Sequence, residues 1–177
     1  MREITFIEAT REVLAAAMAK DPTIFVVGEG IGKRGGNFNT TMGLFDLYGP
    51  ERLRDTPISE RGFVGLCTGA AMTGTRPVVD FMFIDFIMGF AGRAGQPGSK
   101  CAVYEQRTTD HAAVPRGCMG LAARRPPIIR AAIIRSSRHI RLPVVTRSTP
   151  YDAKGLFASA LQSDDPVLFL EHRSGDF

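Results

Sequence analysis

The hydrophobic pattern begins with one amphipathic helix. Its apolar residues recur at the three- and four-residue spacing of a helical face: Phe6, Ala9, Val13, Ala16 and Ala17. Thr5 and Glu8 precede most of this face with the spacing of a capping box, which predicts the first helical turn. Asp21 and Pro22 break the pattern, so we expect the helix to end at about Lys20.

Further along, continuous apolar runs alternate with helical patterns. Short apolar runs of this kind are typical of strands that are buried on both faces. We predict strands at residues 23–27, 52–55, 77–83 and 166–170, and helices at residues 42–48, 59–73 and 151–161. This alternation predicts an α/β fold in which helices cover both faces of a parallel sheet. The 177 residues, of which 44% are hydrophobic, suffice for a single domain spanning 1–177.

Composition narrows the class of protein and its compartment. The most apolar region, residues 63–90, is interrupted by Arg76, Asp80 and Asp85, so we do not expect a membrane span. The first residues lack the charged, apolar and small-residue segments of a secretory signal. Scattered cysteines without metal-ligand spacing favour a reducing compartment, and we expect a cytoplasmic protein. These cysteines are Cys67, Cys101 and Cys118.

The net charge of +4 is unevenly distributed. Residues 92–147 carry ten arginines and Lys100 against Glu105 and Asp110, whereas the remainder of the chain is acidic. A basic block can indicate a nucleic-acid partner. This block lacks interleaved aromatic residues and the signatures of helix-turn-helix or RNA-recognition domains. We therefore expect no nucleic-acid binding, and steep salt-dependent binding to DNA would argue for that alternative.

The run from Asp55 to Phe63 carries the strongest chemical signal. It ends a short extended segment and opens a helix rich in glycine and alanine, with Glu60 at the junction. Taken alone, Ser59 could cap that helix while Glu60 complements its dipole. The whole run closely resembles the signature of the β subunit of thiamine-diphosphate-dependent 2-oxoacid dehydrogenases, whose pyrimidine-binding domain has a transketolase-like fold.

The resemblance implies that Glu60 contacts the aminopyrimidine ring of thiamine diphosphate. A carboxyl group bonded to ring nitrogen N1′ favours the imino form of the cofactor, which removes the proton from its own thiazolium. Such an acid belongs in a dry pocket, where its proton affinity is raised. By the same resemblance Ile58 and Phe86 line this pocket, and Phe86 stacks on the aminopyrimidine. Without the resemblance, aromatic residues near a strand would be assigned to the core.

Gly28–Gly30 follows a predicted strand, which is the position at which a phosphate-binding loop would begin. Its spacing fits neither the dinucleotide fingerprint nor the Walker motif. The local pattern favours a plain strand-to-loop turn. The resemblance implies in addition that Glu29 lies close to the cofactor and has a supporting role there.

A second stretch of resemblance covers residues 148–155 and 164–172, which correspond to the start of a helix and to an Asp-Pro followed by an apolar strand. Many family members bind a structural potassium ion at this helix end through backbone carbonyls and an acid. Ala160, Leu161 and Asp165 occupy the corresponding positions. A simple helix end with a solvated acid is equally compatible with these residues.

The resemblance also implies a site that is shared between subunits. The chain has no Gly-Asp-Gly motif with a downstream Asn, which holds magnesium and the diphosphate in thiamine enzymes. In two-subunit members this motif lies on the α subunit, so we expect an α2β2 heterotetramer in which the α chain holds magnesium. A lipoyl acyltransferase is the further partner that the resemblance implies. The family's second α/β domain is absent from the sequence, and we expect the chain to be inactive by itself.

Residues 91–147 depart from the family pattern. One allowed codon spelling of residues 103–113, read in a shifted frame, encodes Tyr-Met-Ser-Asn-Gly-Arg-Leu-Thr-Met-Pro, which resembles the family. A shifted spelling of residues 127–136 encodes His-His-Ser-Gly-Ser-Tyr-His-Pro-Ile, which resembles it too. Residues 116–120 match in the frame as given. We therefore hypothesise that much of this block is translated from a shifted frame, which resequencing of the gene would test.

The sequence thus predicts the pyrimidine-binding half of an oxidoreductase that decarboxylates a 2-oxoacid and transfers the acyl group to a lipoyl carrier. The acid is pyruvate or a branched-chain 2-oxoacid. Two alternatives stay open, namely an acetoin dehydrogenase β subunit and an inactive, truncated or frame-damaged relic. Failure to bind an α partner or the cofactor would favour the relic.

Overall fold

The computed structural model describes residues 2–89, 114–119 and 143–172. The helices are α1 (Phe6–Lys20), α2 (Leu44–Arg52), α3 (Glu60–Met72), a 3-10 helix (Ile84–Gly89) and α4 (Pro150–Gln162). The strands are β1 (Ile24–Gly28), β2 (Leu53–Asp55), β3 (Arg76–Phe83), β4 (Val114–Met119), β5 (Val144–Thr146) and β6 (Leu168–His172). None of the helices in these ranges combines the length and the apolar composition needed to cross a bilayer.

All six strands belong to one sheet with the order β2-β1-β3-β4-β6-β5, and every pairing is parallel. Successive residues of a strand point to opposite faces, so β1 divides its side chains between two cores. Phe25 and Val27 pack with α3 and the 3-10 helix on one face. Ile24 and Val26 pack with α1, α2 and α4 on the other. The predicted α/β fold with helices on both faces of a parallel sheet is confirmed.

Helix α1 begins as its sequence predicts. Thr5 Oγ1 accepts the Glu8 N–H at 3.2 Å, while Glu8 Oε2 accepts the Thr5 N–H at 2.7 Å, so the capping box is confirmed. The helix ends at Lys20. At this end of the helix, the Arg52 guanidinium donates hydrogen bonds to the carbonyls of Met18 and Asp21.

Two strands were not predicted. Strand β4 lies inside the arginine-rich block and contains Pro115, Arg116 and Gly117, residue types that are uncommon in a central strand. Strand β5 has three residues, too few for a pattern to show. Residues 91–113 and 120–142 of the block lie outside the described residues, and these include the segments that the frame hypothesis reinterprets.

A buried ion network crosses the middle of the sheet. Arg116 of β4 is 1% exposed, and its Nη2 lies 2.8 Å from Glu171 Oε2 of β6 and 3.9 Å from Asp80 Oδ2 of β3. Thr10 of α1 donates its hydroxyl to Glu171 Oε1 at 3.0 Å. The guanidinium also lies over the Phe157 ring of α4, 5.8 Å from its centroid. Helices and strands distant in sequence therefore meet at one buried cation.

Candidate active site

The sheet order has a topological switch point between β1 and β3, and we call the space outside the carboxyl ends of these strands the crevice. The chain leaves β1 toward β2 on one side and then crosses to β3 on the other side, so the connections diverge at this point. In open α/β sheets ligands bind outside the carboxyl ends of the strands at such a switch point. The residues that follow β1 and β3, including Glu29 and Phe86, are therefore at the position where a ligand is expected.

The turn after β1 is fixed by a carboxylate from the neighbouring strand. Asp55, the last residue of β2, accepts the Gly30 N–H at 2.6 Å. Gly30 has a φ of +68°, in the left-handed region that glycine adopts without steric cost. The Gly36 N–H then donates to the Gly30 carbonyl at 2.8 Å and folds the loop back on the turn. The interpretation of Gly28–Gly30 as a strand-to-loop turn is confirmed.

Glu60 is the first residue of α3 and is half-buried. Helix α3 is fixed against the sheet by the buried side chains of Phe63, Val64 and Cys67, so the position of Glu60 follows from this packing. Ser59 does not cap this helix, although Ser59 taken alone would suit that role. Ser59 stands at the N-cap position, but its hydroxyl donates to the Pro57 carbonyl at 3.4 Å and makes no capping bond to the helix. The Ser59 hydroxyl therefore forms a hydrogen bond within the turn at Pro57 instead of capping the helix.

Glu29 and Glu60 lie close enough for their charges to interact. Burial raises the pKa of Glu29, and the neighbouring carboxylates of Glu60, Asp55 and Asp80 raise it further. Each of these groups is negatively charged when ionised, and crowding them favours a proton on one of them. The crevice therefore contains a carboxyl group, Glu29, that holds its proton to higher pH than an ordinary glutamate.

Two apolar side chains of the predicted site are exposed. Ile58 is 81% exposed and Phe86 is 41% exposed. The Phe86 ring lies 6.3 Å from the Phe83 ring, which in turn lies 5.5 Å from the Phe38 ring, both in edge-to-face geometry. Phe86 thus contacts one ring, Phe83, which Phe38 contacts in turn, while part of the surface of Phe86 is exposed.

The sequence analysis missed Asp55, Asp80, Phe38 and Phe83 as parts of this site. Asp55 and Asp80 stand at or near the carboxyl ends of β2 and β3, and that location is a signal that could have identified them. Phe38 and Phe83 offered no such signal, because their contact joins a loop to a strand end across 45 residues of sequence. Aromatic residues in such positions look like ordinary core.

Cys67 has no chemical role in this site. It points from α3 into the core, and burial raises the pKa of its thiol to about 12. A thiol in that state is a poor nucleophile at neutral pH.

The positions implied for potassium lie where α4 ends. Ser163 closes the helix, since its N–H donates to the Ala160 carbonyl at 3.3 Å and its hydroxyl donates to the Asp165 carbonyl at 2.9 Å. The Leu161 side chain is buried and Asp165 is exposed. Carbonyl oxygens at the negative end of a helix dipole and a nearby acid are suitable donors for a monovalent cation. In the described ranges, no three His, Cys, Asp or Glu side chains are grouped to hold a metal ion.

Comparison with known proteins adds to this geometry. The family described as "Transketolase, pyrimidine binding domain" matches residues 2–175. The chain belongs to this family. The crevice at the β1–β3 switch point is therefore the candidate pyrimidine site of a transketolase-type domain, and the fold and the family agree.

Curated relatives are similar to almost the whole chain. The 2-oxoisovalerate dehydrogenase subunit beta of Bacillus subtilis is 35% identical over 180 residues, which cover 98% of this chain and 53% of the relative. The pyruvate dehydrogenase E1 component subunit beta of Chaetosphaeridium globosum is 35% identical over 177 residues, covering 97% of this chain and 53% of the relative. The chain thus spans about half the length of the curated relatives that it matches.

A solved structure of a split-gene transketolase, described as an inactive beta4 tetramer, superposes with a TM-score of 0.67 at 19% sequence identity. The match covers 98% of this chain and 53% of that chain. At this identity the likeness concerns the fold, and it agrees with the parallel sheet described above.

Proposed function

We propose that this chain provides the pyrimidine-binding half of a thiamine-diphosphate site in a 2-oxoacid dehydrogenase. One observation carries the proposal: Glu29, which follows β1 at the β1–β3 switch point, interacts electrostatically with Glu60 at the start of α3. The partly exposed ring of Phe86 lies in the 3-10 helix that follows β3. When bound, thiamine diphosphate supplies the electron sink that decarboxylation of a 2-oxoacid requires.

The residues of the crevice fit an aminopyrimidine. This ring has two flat apolar faces and an edge of polar nitrogens. Phe86 offers an aromatic surface for one face, and Ile58 offers an aliphatic one. Glu60 offers a carboxyl group for the ring nitrogen N1′. Thr56 lies in the same run as Ile58 and Glu60, and its Oγ1 is buried without a hydrogen-bond partner among the described residues, as a group that a ligand satisfies would be.

Glu60 and Glu29 would divide the acid–base work between them. Glu60 would form a hydrogen bond with N1′ and orient the ring. Glu29, whose raised pKa favours its protonated form, would limit the negative charge that accumulates around Glu60. Phe86 and Ile58 would exclude water from the contact, which strengthens a hydrogen bond to a charged or polarised group.

The partners of this half-site follow from the same proposal. The names of the relatives, 2-oxoisovalerate dehydrogenase and pyruvate dehydrogenase, support a branched-chain 2-oxoacid or pyruvate as the substrate. We propose an α subunit that holds magnesium and the diphosphate, and a lipoyl acyltransferase that accepts the acyl group. We also propose potassium at the end of α4, held by carbonyls near Ala160 and Leu161 and by Asp165.

Cofactor affinity tests the proposal directly. The chain is co-expressed with an α subunit of a 2-oxoacid dehydrogenase, and thiamine diphosphate is titrated calorimetrically in the presence of magnesium. We expect Glu60→Gln to weaken binding about tenfold to a hundredfold, because a hydrogen bond with a charged group contributes roughly 1.5–3 kcal/mol. Glu51→Gln, an exposed glutamate outside the crevice, is the matched control and should bind as the parent does.

Two results would contradict the proposal. One is an absence of thiamine-diphosphate binding by the parent chain although its α partner is present, which would favour an inactive relic. The other is binding by Glu60→Gln that equals binding by the parent and by Glu51→Gln.

A further inference from the structure

A β-bulge near the end of β3 determines where the candidate stacking ring lies. Strand β3 pairs Asp80 with Arg116 and Phe83 with Cys118 of β4. The chain therefore advances three residues on β3 while it advances two on β4, so one extra residue is inserted on β3. A bulge of this kind bends the strand and changes the direction of the side chains that follow.

Met82 is the residue that adopts the unusual conformation in this bulge. Its φ is +58°, in the left-handed region that side chains other than glycine rarely occupy. Such a conformation costs of order 1–3 kcal/mol and persists only when the surroundings hold it. Two contacts hold it here. Asp80 Oδ1 accepts the Met82 N–H at 2.9 Å, and Asn37 Nδ2 donates to Met82 Sδ at 2.8 Å.

The residues after the bulge are those that reach the crevice. Phe83 follows Met82 directly, and the 3-10 helix that begins at Ile84 carries Phe86. Because side chains alternate along a strand, removing one residue from the register would turn Phe83 to the opposite face and would move the start of the 3-10 helix. The bulge thus decides whether Phe86 lies against the crevice.

Asp80 itself is held firmly. Its side chain is 10% exposed and lies 3.9 Å from the buried guanidinium of Arg116. Gly28 of β1 packs against the same residue, since a Cβ at Gly28 would lie 2.5 Å from the Asp80 carbonyl oxygen. The backbone of Asp80 is thus packed closely against β1 and its carboxylate lies near Arg116 of β4, so this carboxylate can fix a backbone N–H two residues further along its own strand.

We propose that Asp80 is a positioning residue, which by holding the Met82 bulge sets the place of Phe86 against the pyrimidine. The assignment of Phe86 to the pyrimidine rests on the proposed function, whereas the link from Asp80 to Phe86 is a property of this chain alone. Asp80 would touch no ligand. Its carboxylate would act through one backbone hydrogen bond.

The chain has no tryptophan, so Phe86→Trp introduces a single fluorescent reporter at the relevant position. The emission maximum is measured without cofactor. In this reporter chain we expect Asp80→Ala to shift the emission to longer wavelength, because the ring leaves its support and becomes more solvated. Glu171→Gln is the matched control. It removes another carboxylate beside Arg116 but does not contact the bulge, and we expect it to leave the emission unchanged.

A rescue variant distinguishes a loss of positioning by Asp80 from a general loss of structure. Glycine adopts a positive φ without side-chain cost, so Met82→Gly should restore the emission of the Asp80→Ala reporter chain. Asp80→Asn keeps an acceptor for the Met82 N–H and should emit as the parent does. If Asp80→Ala does not fold, the emission of Asp80→Asn alone tests the proposal. A shifted emission in Asp80→Asn, an equal shift in Asp80→Ala and Glu171→Gln, or a failure of Met82→Gly to rescue would each overturn the proposal.

Cofactor binding by the chain with native Phe86 gives the second readout, again with the α subunit and magnesium present. We expect Asp80→Ala to lower the affinity for thiamine diphosphate about tenfold, which equals roughly 1.4 kcal/mol. If the parent chain binds no thiamine diphosphate, the proposed function fails while the emission result still decides the role of Asp80.

Discussion

Acidic side chains in two regions of this domain have opposite electrostatic surroundings. Glu171, in the middle of the sheet, is 1% exposed and binds the Arg116 guanidinium at 2.8 Å. Burial raises the pKa of Glu29, at the carboxyl end of β1, and the neighbouring carboxylates of Glu60, Asp55 and Asp80 raise it further. The interior therefore pairs Glu171 with a cation from the same chain, whereas Glu29 has three carboxylates as neighbours, of which Asp80 also lies 3.9 Å from Arg116.

The difference separates stability from function. A buried carboxylate without a counter-ion would cost several kcal/mol, so the sheet can contain Glu171 only because Arg116 is there. The carboxylates around Glu29 repel one another, and this repulsion lowers the stability of the folded chain at neutral pH. Such unfavourable arrangements cluster at functional sites, and a proton or a ligand relieves them.

The largest effect should follow from breaking the interior pair. We expect Arg116→Met to lower the free energy of unfolding by about 3–5 kcal/mol, because Glu171 would keep its charge in a buried position without its cation. Urea unfolding followed by circular dichroism measures this. Arg54→Met removes an exposed arginine from a surface pair with Glu51 and is the control, with an expected change below about 1 kcal/mol. Equal losses in the two variants would contradict the comparison.

An effect of opposite sign should follow from removing an acid of the crevice. The pKa of Glu29 is raised in the folded chain, so the folded state binds its proton more tightly than the unfolded state does. Stability from this group is complete below the ordinary value of 4.5 and is lost as the pH rises toward the raised pKa. Glu29→Gln should therefore raise the melting temperature at pH 7 and change it little at pH 4.

The same measurement on Glu51→Gln provides the control, since the Glu51 side chain is 87% exposed. Equal effects of Glu29→Gln at both pH values would show that its carboxylate is not under strain from its neighbours.

The smallest effect is expected at the surface. Lys154 of α4 donates to Glu12 Oε2 of α1 at 2.8 Å, but the lysine side chain is half-exposed. Solvent screens such a pair, so Lys154→Met should change the free energy of unfolding by less than about 1 kcal/mol. Added salt should reduce even this change. A salt-independent loss of several kcal/mol would place this pair with the interior network instead.

Local signals in the sequence were sufficient for most of the fold. The capping box at Thr5, the apolar run of β1 and the glycine-rich start of α3 each depend on neighbours in the chain, so their patterns predicted them. Strands β4 and β5 were missed because they are stabilised by distant partners. Arg116 is tolerated in β4 only because Glu171, 55 residues later, is beside it.

The site was predictable in part for the same reason. Glu60, Glu29, Ile58 and Phe86 were found through a resemblance carried by short motifs, and the structure places Glu29 and Phe86 after the neighbouring strands β1 and β3. No local pattern indicates the Met82 bulge, since it depends on pairing between β3 and β4. The roles of the four residues stay predictions, as does the shifted reading frame proposed for much of residues 91–147.

The position of β6 has a consequence for synthesis. This strand is last in sequence among the six, yet it lies between β4 and β5 in the sheet. During synthesis, β4 therefore lacks its neighbouring strand β6 until that strand emerges from the ribosome. At roughly 5–20 residues per second, the 55 residues from Arg116 to Glu171 take about 3–11 seconds to add. During that interval a chaperone or a foreign strand could occupy the place of β6, so the domain is most vulnerable while it is being made.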